Sequence, residues 1–238
     1  MMTAAPSVKN AQQEGKMQHE NPKKVSAGNA VELLPLGERG KLRLVCNWDV
    51  GIGGGLWSTG LLLTEHLCTH SSFYDKLLRG KRVLELGSGT GLVGLASAMF
   101  GPPLEVVITD LASHVEICRQ NVAENTRLFL DKNRVRVEEY DWGNSVPVSL
   151  GRVPFDVIIG TDLAYFTHLH QPLIKALKGT AGPSTLIILG ITRMDTGPDF
   201  FDALDKAGFE CYLMEKAASN KGFGLFCIFK RQSDTHSP

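Results

Sequence analysis

The amino-acid sequence predicts an α/β fold with a doubly wound, mostly parallel sheet of seven strands. A short apolar segment, Val83–Leu86, runs into three glycines within residues 87–91 and then into an apolar helix, which is the pattern of a buried strand, a tight turn and a helix start. Segments of strand and helix character then alternate, as expected for a parallel sheet covered on both faces. Two consecutive strand segments, Phe209–Met214 and Gly224–Phe229, predict one antiparallel strand.

The other segments complete this fold. We expect a β-hairpin from Val31–Pro35 and Lys41–Cys46, then a helix that Ser58 or Thr59 caps and that runs to about His70. The remaining strands are expected at Leu104–Thr109, Arg134–Tyr140, Phe155–Gly160 and Thr185–Leu189, and the remaining helices at Tyr74–Leu78, Ser113–Leu130, Leu169–Leu177 (with Pro172 in its first turn) and Phe200–Ala207.

The length of the chain indicates a single domain. At 238 residues it suits one α/β unit with a sizeable core. Residues 1–29 are polar and poor in large apolar side chains, so we expect a disordered N-terminal tail. Residues 30–230 then form the domain, and residues 231–238 form a frayed C-terminal tail.

The composition argues against several classes of function. Lys plus Arg and Asp plus Glu both total 25, so no broad basic face for nucleic acid is expected. The five scattered cysteines form no C-x-x-C pair, which indicates reduced thiols and argues against a zinc site. No segment is apolar enough to span a membrane, and the N-terminal residues lack the apolar core of a secretion signal. We therefore expect a monomer in the cytoplasm, with the nucleus as a second location.

The glycine turn indicates a nucleotide-like ligand, the alternative being an ordinary strand-to-helix turn. Its spacing is G-x-G-x-G, and Leu92 stands where the dinucleotide fingerprint G-x-G-x-x-G requires a third glycine. Glu85, inside the strand, also fits a dinucleotide loop poorly. A nicotinamide-dependent dehydrogenase is therefore disfavoured.

Other candidate ligand contacts follow neighbouring strands, where open α/β sheets bind their ligands. Asp110 lies 21 residues after Gly89, and a carboxylate there can accept hydrogen bonds from both hydroxyls of a ribose. Its alternative role is a helix N-cap. Trp142 and Trp57 present flat rings suited to a purine, or else they pack in the core. The glycine-rich loop Asn47–Leu56 either approaches a ligand closely or is a flexible connector.

Four motifs together resemble the seven-β-strand, class I methyltransferases of methyltransferase family 16, which include the methyltransferase-like family 21 enzymes. The motifs are Glu85–Gly91, Thr109–Leu111, Asp141–Gly143 and Asp162–Tyr165, within a resemblance that runs from about Trp48 to Phe229. The resemblance implies a Rossmann-like fold, S-adenosylmethionine as the cofactor, no metal, and methylation of a lysine side chain of a protein.

The resemblance also implies the residues of the site. Those that would line the cofactor pocket are Trp57, Glu85, Gly87, Ser88, Gly89, Asp110, Leu111, Trp142 and Thr161. Asp162 and Tyr165 would be the catalytic residues and would position the acceptor amine. Their alternative roles are structural, with Asp162 capping the following helix and Tyr165 packing beneath it.

Some alternatives stay open on the sequence alone. The acceptor of a methyltransferase can also be a histidine, a small molecule or a nucleic acid, and the fold can persist as a non-catalytic module that binds S-adenosylmethionine. His168 and His170 are expected at the surface, because residues two apart do not share a helix face and no third metal ligand is evident. Arg193 and Asp195 are expected near the substrate.

Overall fold

A computed structural model describes residues 29–129, 134–192, 196–216 and 223–231. Apart from residues 29 and 231, the two tails expected from the sequence lie outside the described residues, as do Arg193 and Asp195.

The described elements follow the order expected for an α/β domain. The strands are β1 (Ala30–Pro35), β2 (Lys41–Cys46), β3 (Arg82–Leu86), β4 (Glu105–Asp110), β5 (Val135–Glu139), β6 (Phe155–Thr161), β7 (Ala181–Thr192), β8 (Phe209–Lys216) and β9 (Phe223–Lys230). The helices are α1 (Ser58–Thr69), α2 (Ser71–Leu77), α3 (Leu92–Ala98), α4 (Ala112–Asn125), α5 (Val148–Gly151), α6 (Thr167–Thr180) and α7 (Pro198–Lys206). None of these helices is long and apolar enough to cross a membrane.

The main sheet has seven strands in the order β5-β4-β3-β6-β7-β9-β8. The neighbours from β5 to β7 pair in parallel, whereas β9 runs antiparallel to both β7 and β8. The predicted doubly wound, Rossmann-like sheet with one antiparallel strand is therefore confirmed. The predicted hairpin is also confirmed, since β1 and β2 form a separate antiparallel pair.

The sheet separates two hydrophobic cores because successive side chains of a strand point to opposite faces. Leu84 and Leu86 of β3 pack with α6 and α7 on one face, whereas Val83 packs with α1 and α3 on the other. The hairpin is held on this second face by α4. Asn121 and Asn125 bond through their side-chain amides to both the N–H and C=O groups of β2. The helices packed on the two faces thus hold β3, β4 and β6 in place in the sheet.

Two local predictions were wrong. Neither Ser58 nor Thr59 caps α1 with its own side chain, because the helix already begins at Ser58 with Trp57 at the N-cap position. Pro172 lies inside α6 rather than in its first turn, because the helix begins at Thr167. A proline there removes one helical hydrogen bond, and the burial of the apolar face of α6 holds the helix together beyond it.

Candidate active site

A large cavity opens at the carboxyl ends of β3, β4 and β6, where the predicted site residues lie. Its volume is about 2520 Å³, well above the roughly 300–1,000 Å³ typical of a pocket for one small molecule. All of the predicted site residues line it: Trp57, Glu85, Gly87, Ser88, Gly89, Asp110, Leu111, Trp142, Thr161, Asp162 and Tyr165. The cavity therefore has room for a cofactor and for part of a second reactant.

The glycine turn and Asp110 form one hydrogen-bonded unit at the floor of the cavity. The Gly89 N–H donates to Asp110 Oδ2 over 2.7 Å, and the Leu111 N–H donates to Asp110 Oδ1 over 2.7 Å. These two bonds fix the carboxylate plane and leave one lone pair free on each oxygen. Leu111, not Asp110, occupies the N-cap position of α4. Asp110 is thus not the N-cap of α4, and its ribose-binding role stays a prediction.

Ser88 ties the turn to the neighbouring strand. Its N–H and its hydroxyl both donate to the Thr109 carbonyl over 3.0 Å, and the Thr109 N–H returns a bond to Ser88 Oγ. Gly87 and Gly89 have φ values of +58° and +57°, a backbone region that glycine adopts without steric cost. The turn is therefore rigid, and it presents backbone rather than side chains to the cavity.

Glu85 lies beneath the turn as a buried acid. Its side chain points toward α3, where Gly94 lacks the Cβ that would stand 2.5 Å from Glu85 Oε2. Ser88 and the N–H groups of Val93 and Gly94 lie close to this carboxyl, but Oε2 has no hydrogen bond of good geometry. Burial raises the pKa of the Glu85 carboxyl to about 8, because the charged form is poorly solvated there. In the free protein, Glu85 is therefore a neutral acid below that pH.

We expect the replacement Glu85→Gln to flatten the pH dependence of stability. In the unfolded chain the carboxyl ionises near its ordinary pKa of 4.5, whereas the folded protein holds the proton up to about pH 8. The unfolded state therefore binds fewer protons between these values, and stability falls as the pH rises through this window. Urea unfolding at pH 5 and pH 8 measures the loss, which should be smaller in the Gln variant. An equal loss in both proteins would contradict the raised pKa.

Trp142 and Thr161 also line the cavity. The Trp142 ring packs so close to Gly87 that a Cβ there would stand 2.8 Å from Cζ2, and Trp142 is only partly buried against one core. The side chain of Thr161 lies between α1 and β7, near Gly60 and Gly190. Leu111 is exposed at the rim. The Trp142 ring thus packs against the core and also lines the cavity, and its contact with a purine stays a prediction.

The glycine-rich loop is folded over the turn. It forms two short 3₁₀ turns, Trp48–Val50 and Ile52–Gly54. Gly53 lies directly on the imidazole of His114, since a Cβ there would stand 2.7 Å from the ring. Trp57 Nε1 donates to the Ile52 carbonyl over 2.9 Å. Close contacts with other protein groups account for Gly53, Gly54 and Gly55, and the expected approach of this loop to a ligand stays a prediction.

Asp162 and Tyr165 follow β6 and line the same cavity. The Asp162 carboxylate accepts hydrogen bonds from the Thr59 N–H and from the Thr192 hydroxyl, both over 3.0 Å. It therefore caps α1, not the following helix α6. Tyr165 is half-buried, and burial together with the charge of Asp110 raises the pKa of its hydroxyl. Tyr165 and Asp110 both line the cavity.

The two histidines after this motif differ in their surroundings. His168 is exposed, as expected, and its ring stacks on Phe166 at a centroid distance of 5.4 Å. The surface prediction is wrong for His170, which is buried and donates from Nε2 to the Ala164 carbonyl over 3.0 Å. His170 lies on the apolar face of α6 and stabilises the backbone of the Asp162–Tyr165 segment.

Several cavity residues were missed by the sequence analysis. They include His114, Tyr140 and Phe166. His114 had a readable signal, because it follows Asp110 by four residues at the start of a helix and so lies beside it, with Nδ1 3.4 Å from Asp110 Oδ1. Tyr140 directly follows β5 and lies beside Asp110, whose carbonyl accepts the Tyr140 N–H.

The unpaired polar atoms of the site test whether a nucleoside cofactor fits. Five buried side-chain polar atoms among the described residues lack a hydrogen-bond partner. Four of them belong to cavity residues, namely Glu85 Oε2, His114 Nε2, Tyr140 OH and Trp142 Nε1. Native proteins rarely leave such atoms unpaired, so their concentration here indicates a ligand with several hydrogen-bonding groups. With the glycine turn and Asp110, the site fits S-adenosylmethionine.

The fold and this site define the broad class of the protein. A TehB-like, S-adenosylmethionine-dependent methyltransferase from Corynebacterium glutamicum superposes with a TM-score of 0.50 at 15% identity, covering 73% of this chain and 98% of that chain. At this identity the likeness shows the fold alone, which is that of the class I S-adenosylmethionine-dependent methyltransferases.

The sequence matches identify the family. The family described as "Lysine methyltransferase" matches residues 38–207, and the chain belongs to this family, whose cofactor is S-adenosylmethionine. The chain is 31% identical over 150 residues to protein N-lysine methyltransferase METTL21A of Danio rerio, covering 63% of this chain and 65% of that protein. It is 31% identical over 153 residues to EEF1A lysine methyltransferase 3 of Mus musculus, covering 64% and 61%. The matches thus span just under two thirds of these relatives.

Proposed function

We propose that this protein transfers the methyl group of S-adenosylmethionine to a lysine side chain of another protein. The observation that carries this proposal is the position of Tyr165, which faces the same cavity as Asp110 and the glycine turn. The family and the named activities of the relatives METTL21A and EEF1A lysine methyltransferase 3 support it. The described residues that line the cavity include four aspartates, besides the neutral acid Glu85, and neither lysine nor arginine, which suits a cationic acceptor.

In such a transfer, one group of cavity residues would hold the methyl donor and another would border the acceptor. S-adenosylmethionine would supply a methyl group on a sulfonium. The neutral amine would attack that methyl carbon in line as the C–S bond breaks, a neutral thioether would leave, and the methylated nitrogen would then release a proton to water. Asp110 and the glycine turn would fix the position of the donor, and alignment of this kind can contribute roughly 7–11 kcal/mol to a two-reactant step. Tyr165 would border the acceptor amine with its ring and its hydroxyl. Burial beside the sulfonium would lower the pKa of the lysine ammonium from its ordinary value of about 10.4 and so favour the neutral amine.

Labelled S-adenosylmethionine and a cell extract test the proposal directly. We expect the protein to label one or a few protein bands, in which mass spectrometry finds the methyl group on lysine. Labelling of histidine, of a small molecule or of RNA alone would overturn the lysine assignment, and binding of the cofactor without any transfer would indicate a non-catalytic module. A monomer in the cytoplasm or the nucleus belongs to the same proposal, and fractionation of cells with size-exclusion chromatography tests it.

We expect Tyr165→Phe to lower the methylation rate about tenfold, because the ring stays while one hydrogen bond to the acceptor is lost. The dissociation constant of S-adenosylmethionine, measured by calorimetry, should change little. Tyr212→Phe is the matched control, since Tyr212 is exposed on β8 and bonds to Glu210 away from the cavity. A Tyr165→Phe protein with the full methylation rate would remove the hydroxyl from the mechanism.

A further inference from the structure

We propose that Asp162 is a positioning residue that locks the start of α1 onto the sheet and thereby shapes the cofactor side of the cavity. The proposal deepens the function proposed above, but it rests on cofactor binding and not on the identity of the acceptor. It differs from a direct contact between the Asp162 carboxylate and the acceptor amine.

The hydrogen bonds of Asp162 join three separate elements. Its Oδ2 accepts the Thr59 N–H at the first turn of α1, and its Oδ1 accepts the Thr192 hydroxyl at the end of β7. Its own N–H donates to the Gly190 carbonyl over 2.9 Å. Since Asp162 directly follows β6, one residue connects the ends of β6 and β7 to the N-terminus of α1. Such a cap satisfies a backbone donor that the helix itself leaves free.

The backbone of Asp162 is adapted to this role. Its φ of +55° is the one positive value among the described non-glycine residues, and aspartate tolerates this region better than most side chains. The start of α1 also packs tightly on β7, since a Cβ at Gly190 would stand 2.5 Å from Thr59 Oγ1. Close packing and the shared carboxylate therefore fix where α1 begins.

The position of α1 determines how Trp57 and the glycine-rich loop cover the cofactor site. Trp57 immediately precedes α1, lines the cavity and donates to Ile52 in the glycine-rich loop. That loop in turn covers Gly89, whose Cβ position lies 2.6 Å from the Gly53 carbonyl oxygen. Release of α1 from Asp162 would therefore loosen Trp57 and the loop that closes over the glycine turn.

The replacement Asp162→Asn separates the two roles. An asparagine tolerates the same backbone region, its Oδ1 can accept the Thr59 N–H, and its Nδ2 can donate to Thr192 Oγ1 after the hydroxyl rotates. The three-way connection survives in this variant, whereas the negative charge and the capacity to take a proton are lost. The replacement Asp162→Ala removes both.

The experiment compares these variants in cofactor binding and in the pH profile of methylation. We expect Asp162→Ala to weaken S-adenosylmethionine binding about tenfold, and Asp162→Asn to stay within about threefold of the unmodified protein. The acid limb of the pH profile should be the same in the Asn variant and the unmodified protein. Thr192→Val should weaken binding about threefold, and Thr192→Ser should restore it. Thermal melting of each variant shows which of them fold.

A double-mutant cycle completes the test. If Asp162 and Thr192 act as one unit, adding Thr192→Val to Asp162→Ala should weaken cofactor binding little further. The proposal is overturned if Asp162→Ala and Asp162→Asn bind the cofactor normally and lose methyl transfer equally, since that result assigns the charge a direct role at the amine. If the Ala variant does not fold, unchanged cofactor binding by Thr192→Val overturns the proposal instead. An acceptor other than lysine would leave these dissociation constants as expected, so failure of the proposed function is distinguishable.

Discussion

The replacement Asp110→Ala should raise the dissociation constant of S-adenosylmethionine about 100-fold or more. The carboxylate offers one free lone pair on each oxygen to the two hydroxyls of a ribose, and hydrogen bonds to a charged group are worth about 1.5–3 kcal/mol each. Two such bonds correspond to at least a 100-fold change, since about 1.4 kcal/mol is tenfold. Titration calorimetry with the purified protein measures the effect.

A matched control excludes a general loss of fold. Asp202 is exposed on α7, outside the cavity, and Asp202→Ala should leave cofactor binding unchanged. Asp110→Asn should fall between Ala and the unmodified residue, because the amide keeps one acceptor oxygen. A dissociation constant for the Ala variant within threefold of the original would show that Asp110 does not hold the ribose.

The second large effect is expected for Gly89→Ala. Gly89 has a φ of +57°, and an added Cβ would stand 2.6 Å from the Gly53 carbonyl oxygen. The new methyl group must therefore push the glycine-rich loop away from the turn, in addition to the strain of the backbone. We expect cofactor binding to weaken at least 30-fold, a loss of about 2 kcal/mol, which calorimetry would again measure.

Gly80→Ala separates the contact from the strain. Gly80 has a similar φ of +68°, but nothing lies within 4 Å of its Cβ position, and it lies outside the cavity. This variant should lose about 1 kcal/mol of stability and keep its affinity for the cofactor. Equal affinity in the Gly80 and Gly89 variants would mean that the loop does not close over the turn in solution.

Local patterns in the sequence were sufficient to predict the sheet and to place Asp110 beside the glycine turn. The buried strands are continuous apolar runs, and glycine spacing and an acid at the next strand end are features of short segments. Asp110 and Gly89 come together because both follow adjacent parallel strands. Position at a strand end was thus enough to place these residues in one cavity.

The contacts of Asp162 could not be predicted in this way. Its partners Thr59 and Thr192 lie 103 residues before it and 30 residues after it, and no periodicity links such positions. The same holds for Gly53, whose contact with His114 depends on how the loop folds back. His170 was assigned to the surface from its spacing to His168. Helical spacing shows which residues share a face, but it does not show which face is buried.

The chain contains three tryptophans, Trp48, Trp57 and Trp142, and all of them line the cavity. Trp48 and Trp57 meet edge to face at 6.0 Å, in the loop that covers the glycine turn. The tryptophan fluorescence of this protein therefore originates entirely from residues that line this cavity. Changes in emission on addition of a ligand report the surroundings of that site, without a label and without a contribution from tryptophans elsewhere in the fold.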